Sequence, residues 1–479
     1  MKKKFALLSL AFCLALGIAA LSGCASSQDS AEETTDDATE AAVDNTIVAE
    51  NPGTYETATL EDVKAALEDD NAVVLDARPQ TNFSGWSTAD NAKGGHIDGA
   101  HGFSANWLTC TYDDKANNDG LTRVEYLAIE MDEKDITADT KVIVYDENGE
   151  DAQAVADYLA SQGVTDITLF NLADWDGELT SYDKYQMYVP AEVVKKLIDG
   201  ETVDEIGEVS DLKIVEFSWG TTEESGFLDG HVPGAVHINS DDVDDEDNMY
   251  ILDDDSDVLD AIIAAGITPD STVVVTGAGL FACHMATILE YEGVENVYVM
   301  SGGANAWADA GYELETTDNT PEAANVTADD FTKDSEYIDT VQDVQDKLGT
   351  DGWQLVDTRT YKEYTGETSG YTYVPEAGRP DGAIFGQGDG SYQGEDANAS
   401  SMVYYENPDG TMRDASELIA MWEESGLNVD NHMSFFCGGG YRAAEVMWDA
   451  RVMGLDDTSL YNDGWSGWVV AGLDAVKGE

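Results

Sequence analysis

The chain is predicted to be an α/β protein of three tandem units, each a mainly parallel sheet flanked by helices. Its 479 residues are long for one domain and suit three of about 150 each. Short β-branched runs alternate with segments of helical apolar spacing and with glycine turns, as buried parallel strands and their crossover helices do. The same order of parts comes round three times.

The first unit (55–190) opens on a helical segment, TLEDVKAALED (59–69), and a strand, AVVLDA (72–77), with Asp76 at its end and Arg78 just after. The glycine turn KGGHIDGAHGF (93–103), the strand KVIVYD (141–146), the helix DAQAVADYLASQGV (151–164) and DITLFNLADWDG (166–177) follow. The second unit (191–322) repeats this as KIVEF (213–217), GFLDGHVPGAVHI (226–238), STVVVTG (271–277), the helix FACHMATILEYEGV (281–294) and NVYVMSGGANAW (296–307). The third (327–479) runs WQLVDTR (353–359), GRPDGAIFG (378–386), the helix DASELIAMWEESGL (414–427), MSFFCGGGYR (433–442), the helix AAEVMWDARVMGL (443–455) and SLYNDGWSGW (459–468).

Charge narrows the function. Against 23 Lys and Arg stand 97 Asp and Glu, a formal charge of -74. Such a surface repels phosphate backbones, so nucleic acid is not an expected partner, and any anion site must supply its own positive potential. The acidity itself reads as a solubility device of an exposed protein.

Ahead of the units, Lys2, Lys3 and Lys4 precede an apolar run from Phe5 to Leu21, the layout of a secretory signal. Leu21-Ser22-Gly23-Cys24 resembles a bacterial lipobox. That resemblance implies removal of residues 1–23, a lipid on Cys24, and an extracytoplasmic protein anchored to the cell membrane. Residues 24–54, acidic and without apolar period, read as a flexible tether.

Beyond Cys13 and Cys24, three widely spaced cysteines remain: Cys110, Cys283 and Cys437. They form no disulfide framework and no CxxC or Cys/His metal spacing, so neither a metal nor a cofactor is expected. His432 is placed at the start of a strand whose far end carries Cys437, too distant for a catalytic pair.

Three features recur across the units: the strands ending in Asp76 and Asp357, the turns at Gly95-His96 and Gly230-His231, and the closing elements with Trp307 and Trp468. In this the chain resembles the rhodanese family over nearly all of residues 55–476, as three tandem rhodanese-like domains. Two departures stand out: Gly378-Arg379 replaces the Gly-His of the turn, and Glu216-Phe217 replaces Asp-x-Arg. The resemblance implies a sulfur-carrying cysteine at the end of the central strand, in a loop opening a helix. A helix N-terminus and glycine-spaced amides stabilise a thiolate and cradle an anion.

Cys437-Gly438-Gly439-Gly440-Tyr441-Arg442 alone has these parts; Asp146 and Gly277 stand at the matching places of the first two units. Cys110 and Cys283 read as buried small apolar side chains. The spacing from Cys437 to Arg442 is shorter than cysteine-dependent phosphatases use, which argues against a phosphatase. Arg442 is expected to supply a forked positive donor for an oxyanion, with a salt bridge to a nearby carboxylate as the other reading. Arg359 and Arg379 are further candidates for holding the donor, with bracing of the strand's carboxylate Asp357 as the other reading for Arg359; Asp357 reads as an anchor, and Trp465 and Trp468 as packing.

The family resemblance implies a two-step transfer: the Cys437 thiolate takes the outer sulfur of thiosulfate, then passes it from a persulfide to cyanide or a thiol. Gly438 and Gly439 stand where thiosulfate sulfurtransferases often carry basic residues, which leaves mercaptopyruvate as a second donor. Two other readings stay open: a surface sulfur-relay or binding protein with recognition modules, and a redox sensor pairing Cys437 with Cys110 or Cys283. Tandem family members place the site between adjacent modules, so the second unit is expected to close over the third.

Overall fold

Valine- and isoleucine-rich runs become the middles of three five-stranded sheets in a computed structural model that describes residues 47, 49, 51–88, 92–111, 121–387 and 401–478. The signal segment, Cys24 and nearly all of the tether lie outside the described residues. With the strands of each five-stranded sheet counted in chain order, all three have the spatial order 1-5-4-2-3, and Asp244–Asp245 and Ile251–Leu252 form a separate antiparallel pair in the second module. All strand pairs within the five-stranded sheets are parallel.

Parallel neighbours need crossovers, and the helices that make them cover both faces of the sheet. This is why Val142–Val144 and Val273–Val275 are apolar without alternation: all are fully buried. The central fourth strands are Lys141–Asp146, Thr272–Thr276 and His432–Phe436. Each feeds a helix: Glu150–Ser161, Gly279–Glu292 and Tyr441–Val452. A carboxyl end of a central strand facing a helix N-terminus is where open α/β sheets bind ligands.

The strand Tyr188–Val189, just ahead of residue 191, pairs with Asn296–Met300 of the second sheet. The last long helix starts at Tyr441, not Ala443, because Gly440 at φ +87° caps it. Only glycine takes that left-handed conformation readily.

The second and third modules meet along the helices Gly279–Glu292 and Tyr441–Val452. Arg451 forks onto Glu290 (2.5 and 3.0 Å), and the Tyr188 hydroxyl donates to Asp449 (2.9 Å). The first module joins the third through the Gly102 amide on Asp414 (2.7 Å) and Lys134 on Glu417 (2.9 Å). Among the described residues no helix is long and apolar enough to cross a membrane.

Candidate active site

Cys437 follows the last residue of the central strand and is 1% exposed. Its carbonyl and that of Gly438 are taken by the amides of Trp465 and Ser466, both at 2.9 Å, which pins the loop from behind. None of the N–H groups of Gly438, Gly439, Gly440 and Tyr441 is hydrogen-bonded to another described residue. Four such amides at a helix N-terminus form an anion-binding nest.

Glycine is required here by close approach. A Cβ on Gly438 would lie 2.2 Å from the Tyr371 ring, and one on Gly440 would lie 2.7 Å from Asn462 Oδ1. Behind the loop, His284 of the second module meets Asn462 Oδ1 through Nε2 (2.7 Å) and packs against the Tyr441 ring. Burial pushes its pKa down to about 4, so His284 is a neutral support.

Arg442 lines the same cavity as Cys437, yet its guanidinium is matched. It donates to Glu363 twice, at 2.9 and 3.1 Å, and to the Tyr371 hydroxyl at 2.5 Å. Burial alone would raise the Glu363 carboxyl, but Arg442 holds it below the usual carboxylate range. The positive charge at the loop is thus half of a buried ion pair, the second of the two expectations for this residue.

The other two arginines lie away from the cavity, Arg359 in the bracing role that was its other reading. Arg359 is fully buried, bound to Asp357 at 2.9 and 2.6 Å and to the Gly378 carbonyl at 2.9 Å, with its guanidinium against Phe436 and Trp465. Arg379 stacks on Tyr364 and donates to the carbonyls of Tyr364 (2.8 Å) and Gly478 (2.7 Å). Neither lines the cavity: the guanidinium following the strand's aspartate is held by that carboxylate and one carbonyl, and the one at the sheet edge by two carbonyls. Arg78 repeats the first arrangement on Asp76. Glu216, in the second module, has no arginine and is pushed up to about 7 by burial.

The matching loops of the first two modules are closed to this chemistry. Asp146 turns its own carboxylate onto the amides of Gly149 (2.7 Å) and Ala152 (3.0 Å), filling the cradle from within. Gly277 brings no side chain. Cys110, Cys283 and Cys437 are all free thiols, but burial pushes Cys110 up to about 12 and Cys283 well above its ordinary range. His432 sits at the far end of the strand, on Asp457 and Ser459.

Cys437 opens onto a cavity of about 400 Å³ whose walls the sequence did not disclose. Tyr371 and Tyr373 come from the third module; Trp219, Asp244, Tyr250 and Phe281 come from the second. The site is composite between the two modules. A T-x-x-E capping motif at Thr360–Glu363 was visible in the sequence, but not that its glutamate would meet Arg442.

A rhodanese-like domain model matches residues 59–173, 191–310 and 340–471. The chain is 31% identical over 408 residues to the thiosulfate sulfurtransferase YnjE of Escherichia coli (strain K12), covering 84% of this chain and 88% of that protein. It is 25% identical over 267 residues to the thiosulfate sulfurtransferase of Bos taurus, covering 54% and 84%. Among solved structures it resembles an anaerobic ergothioneine biosynthesis enzyme from Chlorobium limicola in complex with its natural substrate trimethyl histidine. That match has 27% identity and a TM-score of 0.77, covering 89% of this chain and all of the other. The wild-type structure of EanB matches at 26% identity and a TM-score of 0.76, covering 89% and 98%. With three successive matches along one chain and the same sheet order in each, the protein belongs to the rhodanese-like domain family and is a sulfurtransferase whose third module alone bears a cysteine in the loop.

Proposed function

We propose that Cys437 carries sulfane sulfur from a thiosulfate-class donor to a thiol or to cyanide. The Cys437 thiolate bonds to the outer sulfur of thiosulfate, the donor's S–S bond breaks, and sulfite leaves with that bond's electron pair. The acceptor then attacks the outer sulfur of the persulfide and Cys437 leaves as thiolate. The observation that carries this reading is the set of four unpaired amides around a cysteine at a helix N-terminus. They are placed to hold the charge of the donor and of the persulfide.

The aromatic walls favour a second reading of the acceptor alone: a small organic molecule, as in the ergothioneine enzyme that the chain resembles. A sulfite-release assay with thiosulfate on the fragment beginning near Ala42, beside its Cys437→Ser variant, tests the donor half. Release that persists in the variant would rule out Cys437 as carrier. Export and anchoring through Cys24 are part of the same proposal; Cys24→Ser should move the protein from the membrane to the soluble fraction, and unchanged partition would exclude the anchor.

A further inference from the structure

The cavity over Cys437 is walled by aromatic rings and holds two charged side chains, Arg442 and Asp244. The charge of Arg442 is already matched by Glu363. Asp244, from the second module, is 2% exposed. Its Oδ2 accepts a short hydrogen bond from the Tyr441 hydroxyl, while Oδ1 has no partner among the described residues. Buried carboxylate oxygens are rarely left so, and one that lines a ligand cavity is a binding group in waiting.

The surroundings select the sign of what binds. Tyr250 and Tyr373 meet edge to face at 4.9 Å, and Phe281 and Tyr441 do the same at 4.9 Å. Ring faces attract cations. Trp219 stands 55% exposed among the lining residues, and the formal charge of -74 concentrates cations around the protein. Burial, which the Tyr441 hydrogen bond only partly offsets, pushes the Asp244 carboxyl well up in the protein alone. A cation beside it supplies the opposite charge that its ionised form needs.

We propose that Asp244 is the specificity-determining residue for the acceptor, and that the preferred acceptor is a small organic cation whose charge pairs with Asp244 Oδ1 while its nucleophile reaches Cys437. The two ends of the reaction are thereby separated by charge: the anionic donor meets the loop amides, the cationic acceptor meets Asp244. The second module, whose own loop has no cysteine, gains a role in choosing the acceptor. This rests on the persulfide reading above. For a cationic thiol, the acceptor thiolate bonds to the outer sulfur, the bond to Cys437 Sγ breaks, and the products are the acceptor's persulfide and the Cys437 thiolate.

The test compares three thiols of similar size on the persulfide form of the protein: cysteamine (cationic), 2-mercaptoethanol (neutral) and mercaptoacetate (anionic). Persulfide formation on the wild type is established first by intact mass; its failure overturns the persulfide reading rather than this one. The expected KM for cysteamine is lower than for mercaptoethanol by on the order of ten- to a hundredfold, the weight of a charged hydrogen bond. Mercaptoacetate should be poorest. In Asp244→Asn the ratio of cysteamine to mercaptoethanol should collapse toward one through KM, with less change in kcat. A ratio retained in Asp244→Asn overturns the proposal. Should that variant fail to fold, equal KM values for the cationic and anionic thiols in the wild type overturn it.

Discussion

Removing the negative partner of Arg442 should cost stability in proportion to how buried the pair is. Arg442 is 6% exposed and Glu363 2%, joined by two hydrogen bonds, with Tyr371 as a third partner. Glu363→Gln keeps the shape, and its carbonyl can still accept from the Thr360 amide and hydroxyl, which now stand at 3.0 and 2.8 Å from the carboxylate. Its amide nitrogen, however, faces a guanidinium that has lost its counter-charge. Breaking a buried ion pair on one side costs about 3–5 kcal/mol. Because the Tyr371 bond and the cap survive, the lower end, about 3 kcal/mol, is expected. Arg442→Met should cost a similar amount, leaving Glu363 buried without its partner. The double variant should cost less than the sum by about 2 kcal/mol, since the pair is removed as a unit. Urea unfolding followed by tryptophan fluorescence measures all three. Single variants that each cost less than about 1 kcal/mol, or costs additive to within about 0.5 kcal/mol, would show that the pair is not a buried unit. In turnover, Arg442→Ala should lose on the order of a hundredfold. Arg442→Lys should recover little, because an ammonium cannot fork onto Glu363 and reach Tyr371 together.

The loop glycines should rank by what an added Cβ meets. Gly439→Ala approaches only the Tyr250 carbonyl, at 3.1 Å, and should keep persulfide formation, whereas Gly440→Ala meets Asn462 at 2.7 Å with φ +87° and should lose it; equal rates in the two would refute the ranking. Gly438→Ala should drive Tyr371 off Arg442 and behave as a partial loss of that bond. Glu406, Glu445 and Asp449 make the pH prediction. Burial raises all three, Glu406 from 4.5 to about 7 and Glu445 and Asp449 well above their ordinary range, so their protonated forms favour the fold; the Glu406 contribution is complete below the unfolded value and fades as pH rises through about 7. The melting temperature of Glu406→Gln should therefore fall less than the wild type's between about pH 5 and about pH 8, and parallel curves would refute the protonated cluster.

What the sequence disclosed, and what it did not, divides by range. Strands such as Val273–Val275 are legible because burial on both faces demands uninterrupted β-branched residues, and the loop at Cys437 because three glycines in a row between a strand and a helix suit amides turned inward onto an anion. Two-residue strands such as Ile338–Asp339 and Ile384–Phe385 leave no period to read; their neighbours define them. Arg442 was legible as a residue at the loop, but its pairing with Glu363 joins positions 79 apart. Asp244 lies 197 residues before Tyr441, in a module whose own loop carries no sulfur, so no local pattern could mark it. Arg359 and Arg379 were read as donor-binding because arginine suits oxyanions, with bracing of Asp357 as the other reading for Arg359; the carbonyl partners of both are visible only in the fold.

The central claim is that sulfur resides on Cys437, and intact-protein mass spectrometry after thiosulfate treatment tests it most directly. One added sulfur on the wild type and none on Cys437→Ser is the expected result, with peptide mapping placing it on the loop. An added sulfur on Cys110 or Cys283, or one that persists in Cys437→Ser, would contradict it.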